Sequence, residues 1–193
     1  MATKLLQYTN CNNETTKVNG RQRMNFEMKE VPIEDKSVIR NLLELYIYDF
    51  TEFGPYDVDS HGLYGYKYLD LYWTEEGRYP FIFKVDGKIA GFVLVRREYI
   101  DELMEYCYSI AEFFVMKRYR SSGIGKKAAF YVFQQFPGLW EVDEMESNKP
   151  AQVFWRKVIN EFTHGAFEEI QKANWNGPVQ RFRSTELKQC KDK

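Results

Sequence analysis

At 193 residues the chain is long for one ordinary domain and short for two, so it reads as one domain with loose ends. Lys plus Arg number 27 against 28 Asp plus Glu, a formal net charge of −1 that offers no whole-chain electrostatic footprint for nucleic acid or an anionic membrane. With 44% hydrophobic and 28% charged residues, intrinsic disorder is excluded and a sizeable core can be buried; the one excess is aromatic, at 17%.

Residues 1–22 are polar and rich in Asn and Thr, and read as a loose N-terminal extension. A strand is expected between Met24 and Val31. Ile39, Leu42, Leu43, Tyr46, Ile47 and Phe50 then recur at helical spacing and predict an amphipathic helix. The breaker-rich stretch FGPYDVDSHG separates it from a shorter helix expected around Tyr66–Trp73. Phe81–Val85 and Lys88–Val95, joined by Asp86-Gly87, predict a hairpin, because Asp-Gly tolerates the positive φ angles of a type I′ turn. A further strand is expected over Tyr106–Met116. Ile124, Ala128, Ala129, Val132, Phe133 and Phe136 mark one face of a second helix, which Pro137-Gly138 should stop. Leu139–Met145 reads as a strand. Asn148 then caps a third helix, with Pro150 tolerated in its first turn and Ala151, Phe154, Trp155, Val158, Ile159 and Phe162 on one face. Two short strands near 166–172 and 178–184 follow, then a frayed tail over 187–193. The domain spans 23–186, and its order of elements predicts an α+β fold with a mixed sheet rather than a regular βαβ series.

Cys11, Cys107 and Cys190 form an odd set with no metal-type spacing, and His61 and His164 are the two histidines, so neither a disulfide framework nor a metal site is expected. No apolar run approaches the roughly 20 residues of a membrane span, and the N-terminus lacks the apolar region of a signal peptide. The sequence reads as soluble and cytoplasmic.

The loop Arg120-Ser-Ser-Gly123-Ile-Gly125-Lys-Lys joins a strand to a helix. Glycines there admit a ligand close to the backbone, and the first amides and positive dipole end of the helix suit an anion such as pyrophosphate. It is not a P-loop, since Arg120 and Lys127 stand where Gly and Ser or Thr are needed. Gly123-x-Gly125-x-x-Ala128 fits a dinucleotide fingerprint by letter. An antiparallel hairpin precedes it, however, and too little chain follows for a doubly wound domain.

The strand ending V-M, followed by K-R-Y-R-S-S-G-I-G, resembles motif A of the GCN5-related N-acetyltransferases, whose loop reads R/Q-x-x-G-x-G/A; Arg120, Gly123 and Gly125 match its defined positions. Downstream, Asn148-x-x-Ala151-x-x-Phe154-Trp155 resembles motif B, usually N-x-x-A-x-x-F/L-Y. The resemblance covers roughly residues 24–184 and is nearest to bacterial predicted acetyltransferases. It implies a mostly antiparallel sheet splayed between its fourth and fifth strands and flanked by helices, with acetyl-CoA as co-substrate and no metal. By similarity, the backbone of Phe113, Phe114 and Val115 would pair with the pantetheine arm. The amides of Ser121, Ser122, Gly123, Ile124, Gly125 and Lys126 would surround the pyrophosphate, with Arg120 at the entrance. Asn148 and Trp155 would reach the same ligand. Val115 N–H would polarise the thioester carbonyl. Trp155 replaces the usual Tyr, so the resemblance names no general acid.

Glu112 is the candidate base, an acid within the apolar stretch I-A-E-F-F-V-M; Glu141, Asp143 and Glu144 are the alternatives. Between Asn41 and Tyr66 there is no Lys or Arg, and acids alternate with aromatic residues. Tyr46, Asp49, Glu52 and Phe53 are therefore candidates for a wall that attracts a cationic amine. The expected activity is acetyl transfer to a small amine within a ternary complex. A peptide acceptor and a non-catalytic acyl-CoA-binding module are the alternatives. The partner is a small molecule rather than nucleic acid or membrane, and a homodimer is compatible with the reading.

Overall fold

The computed structural model describes residues 24–185. The extension over 1–22, the tail over 187–193, Cys11 and Cys190 lie outside the described residues. Local pattern sets most of the elements. Strand β1 is Phe26–Glu30. Helix α1, Lys36–Phe50, buries the stripe Ile39, Leu42, Leu43 and Tyr46. The helix expected around Tyr66–Trp73 is shorter: α2 covers Leu71–Thr74 only. Gly65, at φ +67°, is left-handed just upstream, and the amides of Tyr64 and Gly65 are held by the Glu44 carboxylate instead of by a helix.

Strands β2 (Arg78–Val85) and β3 (Lys88–Ile100) form the expected hairpin. Asp86 and Gly87 both have positive φ, 50° and 74°, as a type I′ turn requires. β4 is Glu105–Val115, α3 Ile124–Gln135, β5 Gly138–Asp143 and α4 Lys149–Thr163; β6 (Phe167–Ile170) and β7 (Val179–Ser184) end the domain. Among the described residues no helix is long and apolar enough to cross a membrane.

The seven strands lie in the order β1-β2-β3-β4-β5-β7-β6. Every neighbouring pair is antiparallel except β4 and β5. That parallel pair is brief: Cys107, Tyr108 and Ser109 face Leu139, Trp140 and Glu141. Beyond it β4 runs on to Val115 beside β3 while β5 follows β7, so the sheet opens between them as expected.

The two faces of the sheet carry separate cores. Under α3 and α4 lie Phe83, Val93, Val132, Phe133, Trp140, Trp155 and Phe182; under α1 and α2 lie Ile39, Leu43, Phe92, Leu94 and Phe114. Much of the aromatic excess is consumed here. Phe133, for example, sits 4.9 Å from both Trp140 and Phe182 in edge-to-face contact. Such pairs add about 0.5–1.5 kcal/mol beyond their buried area.

A bulge in β4 decides what the opening contains. Leu94 faces Glu112, but Val95 faces Ile110, which leaves Ala111 as an extra residue. Without it Ile110, Glu112 and Phe114 would share one face. With it Ile110 packs in the α3/α4 core, whereas Phe114 joins the α1 core and Glu112 turns the same way.

Candidate active site

The open edge of β4 follows from its hydrogen-bond phase. The Met116 amide donates to the Ala90 carbonyl at 2.9 Å, which makes Ala90 and Met116 a bonded pair. Bonded and non-bonded pairs alternate in an antiparallel ladder, so Gly91/Val115 and Val93/Phe113 are non-bonded. The backbone N–H and C=O of Phe113 and Val115 therefore point away from β3 into the gap, where an extended ligand could pair with them, except that the Val115 carbonyl already accepts from Arg120. Phe114 differs: its backbone faces β3 and its ring lies in the α1 core.

At one end of the gap the chain turns through Lys117–Tyr119 and reaches Ser121 and Gly123, both left-handed at φ 59° and 84°, before α3 begins. Ser122 Oγ braces the turn by donating to the Tyr119 carbonyl at 2.5 Å. The first bond inside α3 runs from Lys127 N to Gly123 O, so the amides of Ile124, Gly125 and Lys126 precede the helical ladder and are free to meet an anion. Gly125 is required for a second reason. A Cβ there would stand 3.2 Å from the Phe154 ring and 3.4 Å from Val115 Cγ2. Glycine lets the helix start sit tightly over the strand end. The Lys126 ammonium is turned away to Glu161, at 2.7 Å, leaving its amide as its contribution to the loop.

Arg120 closes the entrance. Its Nε donates to the Val115 carbonyl at 2.8 Å, and one Nη binds the Asp49 carboxylate of α1. Lys117 also reaches Asp49, at 3.3 Å. Asn148 caps α4 as expected: its Oδ1 accepts from the Ala151 amide at 3.1 Å. Trp155 is buried, edge-on to both Phe113 and Phe154 at 4.9 Å, and forms the floor beneath the gap-facing strand.

On the opposite face stands Glu112. Tyr46 donates to one carboxylate oxygen at 2.5 Å and Tyr66 to the other at 2.9 Å. Burial pushes the Glu112 carboxyl above the ordinary carboxylate range, the two hydroxyls oppose that shift, and the Asp143 charge adds to it. Burial, with Glu112 next to them, drives the Tyr46 and Tyr66 hydroxyls up as well, which makes both poor proton donors at neutral pH.

The other acids separate by environment. Glu141 is neutralised by Lys172 and by Arg181, whose nitrogens approach to 2.6 Å, and its carboxyl is lowered through them. Glu144 is buried on the α4 side, and Asp143 alone of the three shares the surroundings of Glu112. Of the acceptor-wall residues, Tyr46 is in the core, Asp49 is paired with Arg120 at the start of the glycine loop, Phe53 packs 5.9 Å from Phe50, and Glu52 is exposed. The loop after α1 reaches the end of β5: Ser147 Oγ donates to the Phe53 carbonyl at 3.0 Å. Sequence reasoning missed the pairing of Tyr66 with Glu112 and of Glu44 with the Tyr64 amide, contacts that span 46 and 20 positions along the chain. No local pattern marks such pairs. Among the described residues no group of three or more His, Cys, Asp or Glu is arranged to hold a metal ion.

Comparison with known proteins bears on this geometry. The family model described as "Acetyltransferase (GNAT) family" matches residues 41–159. Among solved structures, an acetyltransferase of the GNAT family from Staphylococcus aureus Mu50 superposes with a TM-score of 0.58 at 17% identity, covering 83% of this chain and all of that one. An aminoglycoside acetyltransferase from an uncultured soil metagenomic sample gives 0.54 at 18%, covering 78% and 95%. The ribosomal-protein-S18-alanine N-acetyltransferase from Escherichia coli gives 0.51 at 10%, covering 88% and 100%. At these identities the likeness is one of fold. A search of curated proteins finds no sequence match.

Proposed function

Because this chain belongs to the GNAT family of acetyltransferases, we propose that it moves an acetyl group from acetyl-CoA directly onto the primary amine of a small cationic acceptor. The observation that carries the reading is the open edge of β4 between a glycine loop and a buried carboxylate. The amides of Phe113 and Val115 point into that gap, and the amides of Ile124, Gly125 and Lys126, which precede the helical ladder, stand at its end. This set suits an extended thioester arm with a pyrophosphate behind it.

The chemistry follows from the residues present. The amine nitrogen attacks the thioester carbonyl carbon, and the carbon–sulfur bond breaks. Val115 N–H, fixed before reaction, donates to the oxygen that gains charge. Glu112, directly or through one water, accepts the proton the amine loses; its elevated carboxyl pKa makes it a better base than an exposed glutamate. The departing thiolate is stable near its ordinary pKa of about 8.5 and takes its proton from water. Trp155 serves as a packed floor and supplies no proton.

A cationic acceptor is favoured by charge. Glu112 and Asp143 stand on the acceptor side of the gap, with Glu52 and Asp57 exposed on the loop that follows α1. On this reading Glu52 and Phe53 remain the wall residues that meet it. The test is a thiol-release assay with acetyl-CoA across small diamines, aminoglycosides and amino-terminal peptides. Turnover is expected with the small cations; faster turnover with peptides would transfer the acceptor to the protein class. Bound acetyl-CoA without thiol release on any amine would mean a binding module.

A further inference from the structure

Asp49 stands where helix physics disfavours it. It lies in the last turn of α1, at the negative end of the helix dipole, and no basic residue of that turn offsets it. Its compensation comes from far along the chain, from Arg120 and Lys117 of the glycine-loop entrance. The Asp49 side chain is 18% exposed, against 43% for Arg120 and 72% for Lys117, so the acid is the more enclosed partner and the cations are the outer members.

Arg120 is held at three points: the Val115 carbonyl, the Asp49 carboxylate and the face of Phe114, 5.9 Å from the ring centre. A guanidinium has five N–H donors in a rigid fork, and these contacts leave the outer ones for an anion. A free arginine would lose rotamer freedom on grasping a phosphate, and ordering it beforehand removes that cost. Asp49 is also three residues from Tyr46, so both lie on one face of α1 within a single turn. Tyr46 holds Glu112. One turn of α1 thus sets both the base and the cofactor-side arginine.

We propose that Asp49 is a positioning residue for the pyrophosphate of acetyl-CoA, acting through Arg120, rather than a contact for the amine; this rests on the acetyl-transfer reading above. The full-length chain tests it by calorimetric titration with CoA in the wild type, Asp49→Asn, Arg120→Gln and the double variant, with KM measured for acetyl-CoA and for the amine. Asp49→Asn is expected to weaken CoA at least fivefold and to raise the acetyl-CoA KM alike, leaving the amine KM within twofold. In the double variant the Asp49 change should add little to the loss from Arg120→Gln. Unchanged or tighter CoA binding in Asp49→Asn, additive losses, or a rise in the amine KM alone would overturn the assignment. Should Asp49→Asn fail to fold, Arg120→Lys carries the test: it keeps the charge and loses the fork, and unchanged CoA affinity would overturn the proposal. A wild type that does not bind CoA removes the acetyl-transfer reading and this inference together, whereas wild-type binding without coupling removes the inference alone.

Discussion

Glu112 is an acid in an apolar strand, and its surroundings set both its charge state and its use. Its carboxyl titrates above the usual range because burial penalises the anion, while Tyr46 and Tyr66 keep the anion tolerable. Its carboxylate form is therefore lost as pH falls through a value higher than that of an exposed glutamate, and on the proposed mechanism activity is lost with it. The amine contributes a separate alkaline limb near its own pKa, about 10.4 for a lysine-like group. Glu112→Gln should lower kcat by about 10²- to 10⁴-fold and abolish the acid limb while keeping the alkaline one. A pH–rate profile measured from about pH 5 to 11.5 checks this, and an intact acid limb in the variant would remove Glu112 from the role.

At the scale of elements, the β3–β4 pair governs the site because it carries the bulge and the open edge. Gly91 makes this pairing possible. A Cβ there would stand 2.0 Å from the Phe114 carbonyl oxygen and 2.3 Å from the Phe83 ring, with strand backbone as the obstacle. Gly91→Ala should cost about 3 kcal/mol or more, through overpacking that backbone cannot relieve, and shift Val115 away from its place at the gap. Gly87, whose added Cβ would meet nothing within 4 Å, is the contrast: Gly87→Ala strains only the turn, by about 1–2 kcal/mol. Thermal melts of the two variants should differ accordingly, and equal losses would refute the steric account.

Across the whole molecule, the segment after β5 joins its parts. Glu144 N donates to the Pro178 carbonyl, Trp175 donates to the Glu144 carbonyl, and Ser147 reaches the loop after α1. The Glu144 side chain is buried there with both oxygens unpaired, beside a Gln180 oxygen also without a donor. Burial pushes its carboxyl up to about 8. The sign follows from linkage: the folded state holds this proton up to about pH 8, and the unfolded chain releases it near the ordinary glutamate value of 4.5. The Glu144 contribution to stability is thus present at low pH and lost as pH rises from about 4.5 to 8. Glu144→Gln should melt higher than wild type at pH 8, with the gap closing toward pH 5. A gap independent of pH would exclude the buried acid as its cause.

The chain itself determined much of this protein. Helical stripes, the Asp-Gly turn, the Asn148 cap and the glycine loop are local, because periodicity and turn chemistry act within a few residues. They located α1, the hairpin, α3 and α4 closely, and the two motifs pointed to the family that the chain belongs to. Tertiary structure decided the rest. One extra residue at Ala111 chose the face of Glu112, since a shift of one position reverses every side chain beyond it. Hydrogen-bond phase separated Phe113 and Val115 from Phe114. The partners of Asp49 and Glu112 come from up to 71 positions away, so an acid read as an acceptor contact is found paired with Arg120 of the glycine loop. Strand register and long-range charge pairing depend on where the fold brings distant segments together, and no window of sequence contains them.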